Sequence, residues 1–249
     1  MSKQVDESRR PHHVLRDAKE EFCYRLKQTL LQHGLTLTPT QADQFVTYWI
    51  GLKRWNSQLN LTAIRDDQEI IVKHFLDSLS VLQYFSIKSG DLVIDIGTGA
   101  GFPGIPIKIY IPDIQLVLVE SSLKKVSFLR FLLAQLGKHA QSNASVSWTP
   151  VRTIAQRAEE CAKQSQHIDA YNWVLTRYVT SLEGSMIYCL PLLKQDGTWI
   201  AYKSCNVQSE IQTALPKLQS LGGRIQFTIN SHITELNRTY VAIRTKELY

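Results

Sequence analysis

The residues whose types and spacing could do chemistry lie in one stretch, Val93-Ile94-Asp95-Ile96-Gly97-Thr98-Gly99-Ala100-Gly101-Phe102-Pro103-Gly104. Glycine at 97, 99 and 101 removes side chains where a backbone bends sharply and comes close to a ligand. The apolar run Leu92 to Ile96 before the glycines and the segment Ile105 to Tyr110 after them predict strand, tight turn and helix. A ligand would lie beyond the carboxyl end of that strand, where open α/β sheets bind nucleotides. A dinucleotide fingerprint needs glycine at 102, and the chain has Phe102 there, which argues against nicotinamide chemistry. Asp95, just before the glycines, would repel a pyrophosphate and attract a cation. S-adenosylmethionine fits, because its amino and sulfonium groups are positive; Asp95 would hold its methionine end, directly or through water. Glu120 ends the next apolar run, Gln115 to Val119, about 20 residues further on, and is placed to accept both ribose hydroxyls. The plainer alternative is a glycine-rich turn in an unrelated α/β protein with Glu120 on an exposed strand end. Asp95, the glycines and Glu120 together favour the cofactor.

The elements that must position these residues follow from periodicity. Arg16 to His33 repeats apolar residues at helical spacing and closes at Gly34, and Thr38-Pro39-Thr40 starts a second helix carrying Phe45, Trp49 and Leu52. Asp67 to Phe85 predicts a third. No strand signal interrupts this region, so residues 1–88 read as a helical cap and 89–249 as the cofactor-binding core. Further strands are expected at Val146 to Val151, Tyr171 to Leu175, Thr198 to Lys203 and Tyr240 to Arg244, with helices over Ser121 to Leu136 and Ser181 to Leu193. Strands alternating with helices imply an α/β fold with a doubly wound, mostly parallel sheet.

Composition bounds the rest. The chain has 249 residues, of which 44% are hydrophobic and 20% charged, enough to bury a sizeable core. A net charge of +6 suits a polyanionic partner such as nucleic acid without proving one. Cys23, Cys161, Cys189 and Cys205 are widely spaced and form no C-x-x-C pair, which points away from metal and disulfides and toward a reducing compartment. No apolar run is long enough to span a bilayer, and the first residues are too polar for a signal peptide. A cytoplasmic protein that binds no membrane and no metal is expected, as a monomer.

Two other segments carry candidate chemistry. Lys53-Arg54-Trp55-Asn56-Ser57-Gln58-Leu59-Asn60-Leu61-Thr62 could contact phosphate and stack on a base, or be a helix end followed by an asparagine-capped loop. His74 and Asp77 share a helical face, where a local hydrogen bond is the simpler reading than proton transfer. Arg9, Arg10, His12 and His13 form a polar terminus, read as frayed rather than as a nucleic-acid arm.

Between about Trp49 and Arg244 the chain resembles the ribosomal RNA small-subunit methyltransferase G family, also called the glucose-inhibited division protein B family. The resemblance rests on Asn60-Leu61-Thr62, Lys73-His74-Phe75-Leu76-Asp77-Ser78-Leu79, Asp95 to Pro106, Lys124-Lys125, Phe128-Leu129, Arg177 with Ser181-Leu182, Lys203 and Arg238. It implies the S-adenosylmethionine-dependent methyltransferase (Rossmann-like) fold, a sheet of about seven strands with the last antiparallel. The implied reaction is methyl transfer to guanine N7 in small-subunit (16S) ribosomal RNA, free or in the small ribosomal subunit. The implied cofactor contacts are Gly97, Phe102, Arg177 and a dipeptide after the fourth strand. That dipeptide is Thr153-Ile154 by strand order or Ala158-Glu159 by its letters. At Tyr178 the chain departs from the family, which usually has alanine.

Guanine N7 has a lone pair and no proton, so its methylation needs no general base, and the chain offers no convincing catalytic histidine or carboxylate pair. Orientation by Arg177, the Asn60 loop and the helical cap would carry the reaction. Arg177 would contact RNA or shape the pocket. Lys203 and Arg238 would neutralise phosphates or be ordinary strand-end charges. The rivals are a methyltransferase of a small molecule or protein, and a non-catalytic RNA-binding protein that retains the fold.

Overall fold

The structure is a computed structural model that describes residues 11–141 and 148–245. Seven strands form one sheet: β1 (Leu92–Ile96), β2 (Gln115–Val119), β3 (Arg152–Ile154), β4 (Tyr171–Arg177), β5 (Leu193–Ser204), β6 (Gly223–Asn230) and β7 (Arg238–Thr245). Their order is β3-β2-β1-β4-β5-β7-β6. Strands β1 to β5 pair in parallel, and β7 runs antiparallel to both β5 and β6. The chain winds outward from β1 through β2 to β3, then returns to the far side of β1 at β4. That reversal opens a crevice at the carboxyl ends of β1 and β4. Because β7 is antiparallel, its first residue, Arg238, meets the same edge of the sheet, paired with Ser204 at the end of β5.

Helices cover both faces. On the first lie α1 (Pro11–Gln32), α2 (Pro39–Leu59), α3 (Asp67–Ile70), a π-helical segment (Ile71–Leu76), α4 (Asp77–Leu79), a 3-10 turn (Ser80–Gln83), α5 (Gly104–Tyr110) and α6 (Leu123–Gln141). A capping box starts α2: the Thr38 hydroxyl accepts the Gln41 N–H while the Gln41 side chain accepts the Thr38 N–H. Asn60, in a left-handed conformation, ends it. The second face carries α7 (Ala158–Cys161), α8 (Leu182–Cys189) and α9 (Gln208–Ser220). Alternation along the strands divides their side chains between two cores. Val93, Leu118, Leu175 and Ile200 join Phe22, Leu26, Phe45 and Phe75 of the N-terminal helices in one cluster. Ile94, Ile96, Val174 and Trp199 pack with Met186 and Leu218 on the other side. The N-terminal helices, expected as a cap, thus share a hydrophobic core with the sheet.

Several local expectations are corrected. Helix α1 begins at Pro11, not Arg16; Arg9 and Arg10 lie outside the described residues. A strand is expected over 146–151, and the described part of that segment does not form one. Residues 146 and 147 lie outside the described residues, 148–151 are irregular, and the edge strand is Arg152–Ile154, selected by pairing with Val117 to Val119. Thr153 and Ile154 therefore belong to the strand itself. Helix α8 stops at Cys189, ahead of Pro191, which has no N–H to donate. The expected uniform helix after Asp67 is broken by the π segment, which shifts the facing of Lys73, His74 and Asp77; such insertions gather at functional sites. Strand β6 and helix α9 were not anticipated, because β6 is a mostly exposed edge with Phe227 in solvent and α9 contains Pro216.

Candidate active site

The glycine loop is braced from within. Thr98 Oγ1 and the Gly104 N–H both donate to Asp95 Oδ2, at 2.6 and 2.8 Å. Asp95 is completely buried, and its Oδ1 has no hydrogen-bond partner among the described residues. Burial pushes its carboxyl up to about 7, against the pull of the Thr98 and Gly104 hydrogen bonds and the charge of Arg177. The glycines serve different ends. A Cβ at Gly104 would stand 2.8 Å from Asp95 Oδ2 and 2.9 Å from Leu118 Cδ2, and one at Gly101 2.5 Å from Ile105 Cδ1. Those two are glycine because the loop is packed. At Gly99, with φ +61°, a Cβ would meet nothing nearer than the Gly97 carbonyl at 3.9 Å; that space is the cleft. The N–H of Gly99 donates to Glu120 Oε2 (3.0 Å), and the N–H of Ser122 to Oε1 (2.8 Å). Glu120 thereby ties the loops after β1 and β2 together, with a further lone pair on each oxygen. A buried unpartnered carboxylate oxygen behind the loop and a side-chain-free concavity before it fit a cationic ligand such as S-adenosylmethionine.

Phe102, which excluded the dinucleotide reading, is the loop's anchor to the helices. It lies between the rings of Tyr48 and His74, stacked at 5.1 and 4.4 Å. Tyr48 also donates from its hydroxyl to the Ala100 carbonyl (2.6 Å). The Arg177 guanidinium stands 5.1 Å from the Phe102 ring centroid.

Arg177 joins the elements around the cleft. Its Nη1 donates to Asp77 Oδ2 at 2.7 Å and to the Lys73 carbonyl at 3.3 Å, and its Nη2 to His74 Nδ1 at 3.2 Å. Arginine can only donate, so Nδ1 accepts and the imidazole proton sits on Nε2. Nε2–H then donates to Thr62 Oγ1 at 2.8 Å. Burial, with the charge of Arg177, lowers His74 to about 3, so it is neutral at neutral pH. Asp77 accepts twice more from Arg238, Nε to Oδ1 at 2.8 Å and Nη2 to Oδ2 at 2.9 Å. Two guanidiniums around one carboxylate leave a net positive charge at the cleft floor. The His74–Asp77 pair read as a local helical contact is instead two separate contacts to Arg177.

The cleft has a volume of about 590 Å³ and is bordered by Thr62, Gly97, Gly99, Phe102, Lys125, Arg177 and Tyr178, among others. Asp95 and Glu120 do not border it but brace the loop that does. Thr153 and Ile154 do not border it; they lie on β3, where the Ile154 carbonyl accepts the Glu120 N–H. Asn60 is exposed and caps α2. Trp55 packs against Phe128 and Phe131, and the segment is a helix end that continues as an asparagine-capped loop. Lys203 pairs with Glu210 (2.7 Å) and the Thr180 carbonyl (2.8 Å). The charges of Lys203 and Arg238 are thus engaged internally rather than turned outward to phosphates. Sequence reasoning missed Asp77 as a hub, although an aspartate in the apolar run His74-Phe75-Leu76-Asp77-Ser78-Leu79 must find a cation if buried. Among the described residues no three histidines, cysteines or carboxylates are grouped to hold a metal.

Comparison with known proteins agrees with this geometry. A methyltransferase from Thermotoga maritima, described as an S-adenosylmethionine-dependent O-methyltransferase, has a TM-score of 0.50 at 17% identity, covering 73% of this chain and 71% of that one. The TYW2 protein of M. jannaschii, solved with AdoMet, has a TM-score of 0.51 at 13% identity, covering 73% of this chain and 76% of that one. These likenesses establish the Rossmann-like methyltransferase fold. In sequence, the chain is 38% identical over 200 residues to ribosomal RNA small subunit methyltransferase G of Alkaliphilus metalliredigens, covering 80% of each chain. It is 34% identical over 226 residues to the protein of the same name from Listeria monocytogenes, covering 90% of this chain and 91% of that one. The GidB model, described as rRNA small subunit methyltransferase G, matches residues 41–239. The chain therefore belongs to the rRNA small subunit methyltransferase G family.

Proposed function

We propose that this protein methylates N7 of a guanine in small-subunit ribosomal RNA. It is an S-adenosylmethionine-dependent rRNA methyltransferase by family and fold; the atom is our reading. The observation that carries it is the state of the groups lining the cleft. His74 has both ring nitrogens bonded and is neutral, and both oxygens of Asp77 are taken by arginines. Glu235 lies exposed at the rim. Among the described residues that line the cleft, no deep carboxylate or imidazole is free to remove a proton, which suits an acceptor that carries none. When bound, S-adenosylmethionine would supply the methyl group from a sulfonium that leaves as a neutral thioether. The chain's own part is orientation: the glycine loop gives a close-fitting floor, and Arg177 holds that floor, through Phe102, against the His74–Thr62 loop. Asp95, Gly97, Gly99, Phe102 and Glu120 form the cofactor side. The Asn60–Thr62 loop and Lys125, which has no acidic partner among the described residues, form the RNA side. Within residues 1–88, the helices from Pro11 onward act as the cap on that side. A monomer working on ribosomal RNA or the small subunit in the cytoplasm accords with this reading. Among the described residues no helix is long and apolar enough to cross a membrane.

The test is methyl transfer from labelled S-adenosylmethionine to small-subunit RNA and to intact small subunits, followed by nucleoside analysis. Label recovered as 7-methylguanosine and lost in Gly97→Asp is the expected result. Label on another atom overturns the N7 assignment. Transfer to neither substrate while cofactor still binds would bring forward a small-molecule or protein acceptor.

A further inference from the structure

Tyr178 is placed unlike any other aromatic side chain at the cleft. It is 78% exposed, more than any other large hydrophobic residue described, whereas Phe102 is 5% exposed. It is nevertheless held. Arg238 Nη2 donates to its hydroxyl at 2.8 Å, and the guanidiniums of Arg238 and Arg177 stand 5.0 and 5.5 Å from its ring centroid. Its backbone has φ +55°, a left-handed conformation uncommon outside glycine, and such strain persists where surrounding contacts enforce it. The next residue, Val179, packs on the glycine loop, with Cγ2 2.9 Å from where a Gly97 Cβ would stand. An oriented aromatic ring therefore stands beside the cleft, anchored at one edge and open to solvent.

We propose that Tyr178 is the stacking platform for the target purine, receiving the base on its open face once it leaves the RNA stack. The proposal rests on the RNA reading above. Exposed aromatics are the usual partners of splayed bases, and a base turned out of RNA must be met by such a surface or lose its stacking. The platform also matches the charge change. As the bond from methyl carbon to N7 forms and the carbon–sulfur bond breaks, positive charge passes from sulfur to the purine and no proton is released. A tyrosine face interacts more favourably with a cationic ring than with a neutral one, so the contact strengthens along the reaction.

The experiment compares wild type, Tyr178→Ala, Tyr178→Leu and Tyr178→Phe in steady-state methylation of small subunits, with cofactor affinity measured by calorimetry. Tyr178→Ala and Tyr178→Leu are expected to lose about 5- to 100-fold in kcat/KM, with cofactor affinity within twofold of wild type. Tyr178→Phe keeps the ring and is expected within about threefold of wild type. Tyr178→Leu preserves bulk without a π face, so it carries the test if the alanine variant does not fold. Equal kcat/KM in Ala, Leu and wild type overturns the platform. So does a fall in cofactor affinity that matches the fall in kcat/KM, or a loss in Tyr178→Phe as large as in Tyr178→Ala, which would make the hydroxyl bond to Arg238 the active feature. If wild type itself labels no RNA, the RNA reading fails first; if wild type labels RNA and the variants equal it, only the platform fails.

Discussion

Asp77 and Arg238 are 161 positions apart in the chain and joined by two hydrogen bonds, of 2.8 and 2.9 Å, with both side chains all but excluded from solvent. Arg177, 100 positions from Asp77, donates to the same carboxylate. The helical stretch 67–83, β4 and β7 are thus pinned at one buried charge beneath the cleft. Asp77→Ala would leave two guanidiniums buried without a counter-charge, and removing one partner of a buried ion pair costs about 3–5 kcal/mol. Urea denaturation should show a loss of that order for Asp77→Ala. A smaller loss is expected for Arg238→Met, because Asp77 keeps Arg177. A change below about 1 kcal/mol in Asp77→Ala would mean that the arginines gain water when the carboxylate goes.

The glycines should separate stability from ligand binding. In Gly104→Ala the new methyl meets Asp95 and Leu118 within 3 Å, and overpacking of this kind costs about 1–3 kcal/mol. Gly99→Ala meets open space, so its stability cost is that of the left-handed backbone, about 1–2 kcal/mol, while its methyl intrudes on the cleft. Cofactor affinity, read by calorimetry, should fall at least tenfold in Gly99→Ala. An unchanged affinity there would show that the ligand does not approach Gly99.

Two buried groups make stability depend on pH in opposite senses. His74 titrates near 6.5 when unfolded and at about 3 in the fold, so between those values the unfolded chain binds a proton that the native state refuses. Its contribution is lost as pH falls through that window. Asp95 shifts from 3.8 to about 7, so the native state holds the extra proton, and its contribution is lost as pH rises from about 4 to 7. Wild-type unfolding midpoints should therefore vary little across this range from these two residues. His74→Gln should expose a decline with rising pH, and Asp95→Asn a decline with falling pH. Parallel profiles for the three proteins would refute both assignments.

Cofactor binding should carry the same signature. A carboxyl at about 7 is only part-ionised at neutrality, and a cationic ligand favours the ionised form. Affinity for S-adenosylmethionine is expected to rise as pH increases from about 6 to 8 and then level off, with Asp95→Asn weaker and flat. The neutral thioether product should show a shallower rise. A pH-independent wild-type affinity would place Asp95 outside the ligand's electrostatic reach.

The strand–glycine loop–helix unit, the parallel strands β1, β2 and β4, and the capped start of α2 were legible because turn chemistry and apolar periodicity are local. Strand β3 was misplaced because a three-residue edge strand has no period of its own and is defined by the neighbour it pairs with. The π segment escaped for a similar reason: its residues fit a regular helix by pattern, and the extra residue in the turn is settled by packing.

By itself, then, the chain's sequence determined the cofactor class, since glycine spacing, the aspartate before it and the missing third fingerprint glycine are all properties of one short segment. Only the tertiary structure decided what the charged residues do. Lys203 and Arg238 look like free cations in the sequence and are internally paired in the fold. Asp77 looks like a helix-surface residue and is the hub on which two arginines converge. The physical reason is strand direction. Because β7 runs antiparallel, Arg238 at its start arrives beside the ends of β4 and β5, and no local pattern encodes which distant carboxylate will be waiting there.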